Sequence, residues 1–278
     1  MAGRKGNSRK AGKEQYYTLP ETADRYAKIM IERYGAEHPW LEPSGGRGDL
    51  IEALLQNGVD ASRIESFDIE PHHALVQHQD FLATVPFYDK SLVFGNPPFG
   101  RACSLAIKFF NHCAKRADVI GFIIPPSFNK PSIADQLNLS FHQVFRERCP
   151  AISFYDGDGR SHEGGLLRTE FQIWERHSVN RAKMQGYRST RFEFVKKDAS
   201  PDLAFRTHGD GAGRILDGVD YNPRTTAFIR LIDSSAKQAL AEADYSFYLT
   251  STSFIPCLAP AEIALCVDEW YKNKEATC

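Results

Sequence analysis

Short apolar runs alternate with polar and glycine-rich segments over much of the chain. Runs of this kind, bounded by turn residues, are typical of buried strands, and they occur at residues 38–42, 64–70, 76–81, 92–94 and 118–124. After the first run the spacing changes, because Leu50, Ile51, Leu54 and Leu55 recur at the period of a helix. A glycine-rich segment joins the two patterns, so this region predicts a strand, a tight turn and a helix.

The run at residues 92–94 leads into the tetrapeptide Asn96-Pro97-Pro98-Phe99, which lies between two glycines. The two prolines fix two backbone φ angles and remove two N–H donors, so the loop is expected to be rigid. A carboxamide oxygen and a backbone carbonyl can each accept one N–H of a planar amine, and an aromatic ring can stack on the group that carries the amine. The loop therefore predicts a binding site for a planar amino group.

The strands upstream of this loop end in residues that suit a nucleotide-like ligand. Gly46 and Gly48 follow the first strand and allow the backbone to approach a ligand closely. Glu42, at the tip of the same strand, can hold a cationic amine. Asp68 ends the second strand about 20 residues beyond the glycines, where dinucleotide-binding folds place a carboxylate on ribose hydroxyls. Glu70 is the second choice for that role.

Together these motifs resemble the signature of the S-adenosylmethionine-dependent amino methyltransferases, which methylate exocyclic nitrogens of adenine, cytosine or guanine and certain glutamine side chains. The motif order is similar to that of the γ type, with a donor-capping segment at residues 15–21 before the glycine loop and the Asn-Pro-Pro-Phe (NPPF) loop after it. The resemblance implies an α/β fold with a Rossmann-like sheet of seven strands, the last antiparallel, and a small C-terminal α+β extension. It places the antiparallel closing pair at residues 151–155 and 166–174.

The same resemblance assigns roles in the acceptor half of the site. The side-chain oxygen of Asn96 and the carbonyl of Pro97 would hold the amine, while Pro98 keeps the loop rigid and Phe99 stacks on the base. Either Phe154 or Tyr155 would stack on the other face of that base.

The resemblance also assigns the residues that bind the methyl donor, S-adenosylmethionine. Tyr17 and Thr18 belong to the segment that would cap its methionine end. Asp80 would accept a hydrogen bond from its adenine amine, and Phe81 would pack against its adenine ring.

Composition fits an enzyme of this kind. The 278 residues are 42% hydrophobic and 25% charged, which allows one sizeable core and a small appended domain. We expect a methyltransferase domain at residues 15–178 and a smaller domain at 179–278, a candidate for target recognition. The first 13 residues contain basic side chains and no acid, so residues 1–14 are predicted to be a disordered tail that contacts nucleic acid non-specifically.

Several other features argue against alternative classes. No apolar run is long enough to span a membrane, and the first residues are basic instead of apolar, unlike a secretory signal. The six cysteines form no C-x-x-C pair, so we expect reduced thiols, no metal site and a cytoplasmic location, with nucleoid or nucleus as alternatives.

The sequence thus favours transfer of a methyl group from S-adenosylmethionine to the N6 amine of adenine in nucleic acid, with DNA preferred. Adenine N6 or guanine N2 in RNA is the first alternative acceptor, and a protein glutamine is the second. A further alternative, outside the enzymes, is a catalytically silent binding subunit that keeps the fold and supports a partner. A protein partner is compatible with each of these, and the oligomeric state and the recognition sequence stay open.

Overall fold

The structure is a computed structural model that describes residues 16–85, 89–151, 153–156, 168–252 and 255–276. These residues divide between two compact units, one within Met1–Pro125 and Gln136–Arg181 and the other within Pro126–Asp135 and Ala182–Cys278. The predicted basic tail at residues 1–14 lies outside the described residues.

A mostly parallel sheet forms the centre of the first unit. The strands of this unit are β1 (Tyr17–Thr18), β2 (Trp40–Glu42), β3 (Ile64–Asp68), β4 (Gln77–His78), β5 (Leu92–Gly95), β6 (Val119–Ile124), β7 (Phe141–Arg148), β8 (Phe154–Tyr155) and β9 (Glu170–Arg176). Seven of them form one sheet in the order β4-β3-β2-β5-β6-β9-β7. All neighbours are parallel except β9, which runs antiparallel to β6 and β7. This topology confirms the predicted Rossmann-like sheet with an antiparallel last strand.

Helices cover both faces of this sheet. They are α1 (Pro20–Tyr34), α2 (Asp49–Gln56) and α3 (Ser104–Cys113), with 3-10 turns at Ala61–Arg63, Phe81–Ala83 and Arg101–Cys103. Strand β6 shows the alternation that packs the two faces. Gly121 faces α1 so closely that a Cβ there would lie 2.8 Å from the sulfur of Met30, whereas Phe122 packs edge to face on Phe110 of α3. The central strands are therefore buried on both sides, as parallel strands require.

The predicted closing pair of the sheet was wrong in its first member. Phe154 and Tyr155 do not enter the sheet, because they pair with Thr18 and Tyr17 instead. The first member is β7, which alternates half-buried and exposed positions and carries a bulge between Gln143 and Phe145. A polar edge strand with an interrupted period has no apolar run to mark it. The second member, β9, overlaps the predicted range and begins at Glu170.

The second unit combines an antiparallel sheet with helices. Its elements are α4 (Pro131–Ala134), β10 (Phe192–Val195), β11 (Leu203–Arg206), β12 (Arg214–Leu216), β13 (Thr226–Leu231), α5 (Ala236–Glu242), α6 (Ser246–Thr250) and α7 (Pro260–Glu275). The sheet has the order β10-β13-β11-β12, and its core side chains pack on α5 and α7. The apolar residues around Phe228 belong to β13, and those around Ile263 belong to α7.

Neither a membrane-spanning helix nor a metal cluster is found in the part of the chain that the structure describes. No helix there is long and apolar enough to cross a bilayer. No three His, Cys, Asp or Glu side chains there are grouped so that they could hold a metal ion.

Candidate functional site

A cavity of about 590 Å³ opens at the carboxyl ends of the parallel strands of the first unit. Its wall is built from the segment before α1, the loop after β2, the end of β3, the turn after β4, the loop after β5 and the start of α3. From β2 the chain continues to β3 and β4 on one side of the sheet, and then to β5 and β6 on the other side. The strand order therefore reverses between β2 and β5, and ligands of open α/β sheets bind at such switch points.

The cavity brings together most of the residues that the sequence predicted. The wall includes Tyr17, Thr18, Gly46, Asp68, Asp80, Phe81, Asn96, Pro97, Pro98 and Phe99. Glu42 and Gly48, which were predicted for the donor half of the site, do not line it. Parallel strands place their carboxyl ends at one edge of a sheet, which explains why side chains far apart in sequence converge here.

The glycine loop is shaped by close contacts on both sides. Gly46 has φ +48°, and its N–H donates to Asp68 Oδ2 at 2.9 Å. A Cβ on Gly46 would lie 3.0 Å from the Tyr17 ring, so the backbone itself forms the wall at this point. Gly48 has φ +86° and immediately precedes α2, where a Cβ would lie 2.4 Å from the His73 ring. Gly48 therefore allows the turn to fold, whereas Gly46 lines the cavity.

Two carboxylates follow neighbouring strands on this wall. Asp68 ends β3 and also accepts from the N–H of Glu70 at 2.8 Å, so two backbone amides fix its orientation. Asp80 accepts from the N–H of Leu82 at 2.9 Å and begins the 3-10 turn. A carboxylate has about four acceptor positions, so both groups keep oxygen lone pairs for a ligand. Such acceptors suit ribose hydroxyls and a ring amine.

Phe81 is the apolar surface beside these carboxylates. Its ring is 2% exposed and packs against Phe67, Phe109 and His112 at centroid distances of 6.0, 5.4 and 4.8 Å. The ring is thus held firmly while one part of it lines the cavity. A planar heterocycle can pack against such a surface.

Asn96 is oriented by the segment that precedes α1. Its Nδ2 donates to the Tyr16 carbonyl and to Thr18 Oγ1, both at 3.1 Å. Because the Tyr16 carbonyl can only accept, the amide nitrogen must face it, and both of its N–H groups are engaged. The side-chain oxygen is then the group that Asn96 offers to a ligand. This segment is in turn anchored by the pairing of β1 with β8 and by the bond from the Leu19 N–H to the Ser153 carbonyl at 2.8 Å.

The rest of the NPPF loop is tied to α3. The Phe99 carbonyl accepts from the N–H groups of Leu105 and Ala106 at 3.2 and 3.3 Å. Phe99 lines the cavity although its side chain is only 9% exposed. The loop therefore combines proline rigidity with hydrogen bonds at its far end.

Glu42 lies beneath the cavity instead of in its wall. The residue is 1% exposed, and its Oε1 accepts from the Ser44 N–H at 2.9 Å and the Ser44 hydroxyl at 3.2 Å. Its Oε2 has no hydrogen-bond partner among the described residues. Burial raises the pKa of Glu42 to about 8, the nearby charge of Asp68 adds to this rise, and the Ser44 hydrogen bonds oppose it. The expected contact with a cationic amine stays a prediction.

A cluster that the sequence did not predict stands beside the glycine loop. The Arg47 guanidinium lies 4.5 Å from the Tyr17 ring centroid and 5.3 Å from that of Tyr155. Tyr155 donates to Asp49 Oδ2 at 2.7 Å, and Asp49 lines the cavity. Burial raises the pKa of Asp49, and burial together with the Asp49 hydrogen bond raises the pKa of Tyr155 to about 12.

Of the two aromatic residues proposed for the second face of a base, Phe154 is 3% exposed and belongs to the core, whereas Tyr155 is half-buried. Neither lines the cavity. Tyr155 instead packs on the cavity residue Tyr17, with the ring centroids 5.4 Å apart.

Comparison with known proteins gives remote similarities. No protein-family model and no curated protein matches the sequence. Among solved structures, the chain is similar to a proposed RNA methyltransferase from Pyrococcus horikoshii, with 16% identity over 64% of this chain and 92% of that one, and a TM-score of 0.46.

Two further solved structures show similarity of the same order. One is a proposed class I S-adenosylmethionine-dependent methyltransferase from Listeria monocytogenes, with 14% identity over 63% of this chain and 64% of that one, and a TM-score of 0.45. The other is the magnesium protoporphyrin IX methyltransferase of Synechocystis, with 13% identity over 56% of this chain and 79% of that one, and a TM-score of 0.39. Such values carry no conclusion about activity, which must come from the residues of this chain.

Proposed function

We propose that the protein transfers a methyl group from S-adenosylmethionine to the exocyclic N6 amine of adenine in nucleic acid, with DNA as the preferred polymer. One observation carries this proposal. The Asn96 amide has both N–H groups engaged and so offers its oxygen, in a cavity whose other wall holds Asp68 and Asp80. A hydrogen-bond acceptor for an amine thus lies in the same cavity as acceptors for a nucleoside.

The donor half of the cavity fits S-adenosylmethionine by its chemistry. Asp68, Asp80 and Phe81 line this half. Asp68 would accept from the ribose hydroxyls, Asp80 would accept from the adenine amine, and Phe81 would pack against the adenine ring. The backbone at Gly46 would approach the ligand closely, and Tyr17 would close its methionine end. A cavity of about 590 Å³ is of the size that small ligands occupy. When bound, the donor supplies an electrophilic methyl group on a sulfonium.

The acceptor half positions a poor nucleophile. The lone pair of adenine N6 is delocalised into the ring, and in a duplex the base is stacked, so it must be flipped out. The Asn96 oxygen and the Pro97 carbonyl each accept one N–H, which favours a tetrahedral nitrogen whose lone pair points at the methyl group. Methyl transfer would form the nitrogen–carbon bond as the carbon–sulfur bond of the bound donor breaks, and one N6 proton would leave to solvent. No strong general base is required, because positioning supplies most of the rate.

The experiment is transfer of labelled methyl from S-adenosylmethionine to duplex DNA, single-stranded DNA, RNA and protein in parallel, followed by nucleoside and amino-acid analysis. The expected product is N6-methyladenine, with more of it in DNA than in RNA. Label in N2-methylguanine or in glutamine would overturn the acceptor assignment. Absence of label from every polymer, together with no calorimetric binding of the donor, would support a silent subunit instead.

A further inference from the structure

Arg101 is a cationic side chain on the cavity wall that the proposed reaction has not used. It follows Gly100, directly after the NPPF loop, and its side chain is exposed while it lines the cavity. The cavity is otherwise lined by the carboxylates of Asp49, Asp68, Glu70 and Asp80. A positive charge at the acceptor end of such a cavity indicates an anionic group on the acceptor.

The backbone around Arg101 is held in an unusual conformation. Gly100 has φ +69°, and the non-glycine residues Ala102 and Cys103 have φ +51° and +62°. Left-handed conformations of non-glycine residues are strained and persist where the surroundings enforce them. Here Cys103 is buried, and a Cβ on Gly100 would lie 2.9 Å from Leu105 Cβ. The position of Arg101 relative to the acceptor loop is therefore set by packing on both sides.

Arg101 takes part in none of the ion pairs formed among the described residues. Other arginines of the same unit are engaged: Arg116 pairs with Asp89 at 3.0 Å, and Arg47 packs over two tyrosine rings. An exposed guanidinium beside a binding loop can form two parallel hydrogen bonds with a phosphate.

We propose that Arg101 binds a backbone phosphate next to the target nucleotide and so makes a polynucleotide the substrate class, against a glutamine side chain or a free base. This inference rests on the proposed function, because it takes the NPPF loop as the acceptor site. Phosphate contacts fix the register of a nucleic acid on its protein. Arg101 then acts as a positioning residue that brings the flipped base to Asn96.

The test compares Arg101→Gln and Arg101→Lys with wild type. Arg63→Gln is the matched control, because it removes one guanidinium from the same unit at the amino end of β3, the opposite sheet edge from the cavity. Three quantities are measured: the Kd for S-adenosylmethionine by calorimetry, the KM and kcat for methyl transfer to DNA over a range of salt concentrations, and the Kd for a fluorescent single-stranded oligonucleotide by anisotropy.

We expect Arg101→Gln to raise the KM and the oligonucleotide Kd about tenfold, as loss of a charge-assisted hydrogen bond does. The slope of log affinity against log salt concentration should become less steep, by the amount that one phosphate contact contributes. The Kd for S-adenosylmethionine should stay within about twofold, Arg101→Lys should recover part of the loss, and Arg63→Gln should resemble wild type.

Unchanged KM, oligonucleotide Kd and salt slope in Arg101→Gln would overturn the inference. So would a raised Kd for S-adenosylmethionine with unchanged oligonucleotide binding, because the guanidinium would then serve the donor carboxylate. The oligonucleotide assay needs no catalysis. If wild type methylates no polymer yet shows the Arg101-dependent binding, the proposed function fails while the phosphate contact stands.

Discussion

Replacing Glu42 with glutamine should change how the stability of the protein depends on pH. The carboxyl group is 1% exposed and has one oxygen without a partner among the described residues. Its pKa is raised from 4.5 to about 8, chiefly by burial. In the unfolded chain the group ionises near 4.5, whereas the folded protein keeps it neutral up to about pH 8.

The sign follows from proton binding. Below pH 4.5 both states hold the proton, and the free energy of unfolding carries no penalty from Glu42. As the pH rises from 4.5 to about 8, the unfolded state releases the proton first, so the free energy of unfolding falls. At about 1.36 kcal/mol per pKa unit, this loss reaches about 5 kcal/mol by the upper end of that range, as an upper limit.

Glu42→Gln keeps the shape and the acceptor oxygen for Ser44 but cannot ionise. Wild type and variant should therefore agree within about 1 kcal/mol at pH 5, and the variant should be more stable by several kcal/mol at pH 8. Urea denaturation at pH 5, 6.5 and 8 without S-adenosylmethionine measures the difference. Glu32→Gln is the control, because Glu32 is exposed and its difference from wild type should not change with pH. A pH-independent difference for Glu42→Gln, or a less stable variant at pH 8, would refute the reasoning.

Two further substitutions test the cavity and the core. Gly46→Ala should raise the Kd for S-adenosylmethionine at least tenfold, because the new Cβ would lie 3.0 Å from the Tyr17 ring at a residue with φ +48°. The free energy of unfolding should stay within about 2 kcal/mol of wild type. Calorimetry measures the Kd, and urea denaturation measures the free energy of unfolding. Phe94→Ala should lower the free energy of unfolding by about 3–5 kcal/mol, since Phe94 is fully buried in β5 and packs edge to face on Phe171. A loss below about 1 kcal/mol in urea denaturation would contradict this packing.

Local sequence patterns predict the strand ends that form the cavity. The ends of β2, β3 and β5 are marked by an apolar run followed by a glycine, an acid or the NPPF loop, and parallel pairing then brings them to one edge. For that reason Gly46, Asp68 and the NPPF loop, all predicted from sequence, meet in the cavity.

Features that depend on distant pairing escape such patterns. The pairing of β1 with β8 brings Tyr155 to Asp49, 106 residues away, and no local period signals it. The burial of Glu42 is also invisible in sequence, because its residue type indicates a charge while its surroundings keep it neutral. Strand β7 was missed because its exposed edge carries polar side chains.

The most direct measurement compares Asn96→Ala with Asn57→Ala. The two asparagines are matched, since each amide donates two hydrogen bonds, from Asn96 to Tyr16 and Thr18 and from Asn57 to Asp24 and Ala53. Asn57 lies at the end of α2 and does not line the cavity. Both variants are assayed for labelled methyl transfer to adenine in DNA and for calorimetric binding of S-adenosylmethionine.

Asn96→Ala should lower methyl transfer by about a hundredfold or more, as loss of a positioned hydrogen-bonding group does, with the donor Kd within about fivefold of wild type. Asn57→Ala should retain both properties. Methyl transfer by Asn96→Ala at the wild-type rate would contradict the assignment of the NPPF loop as the acceptor site.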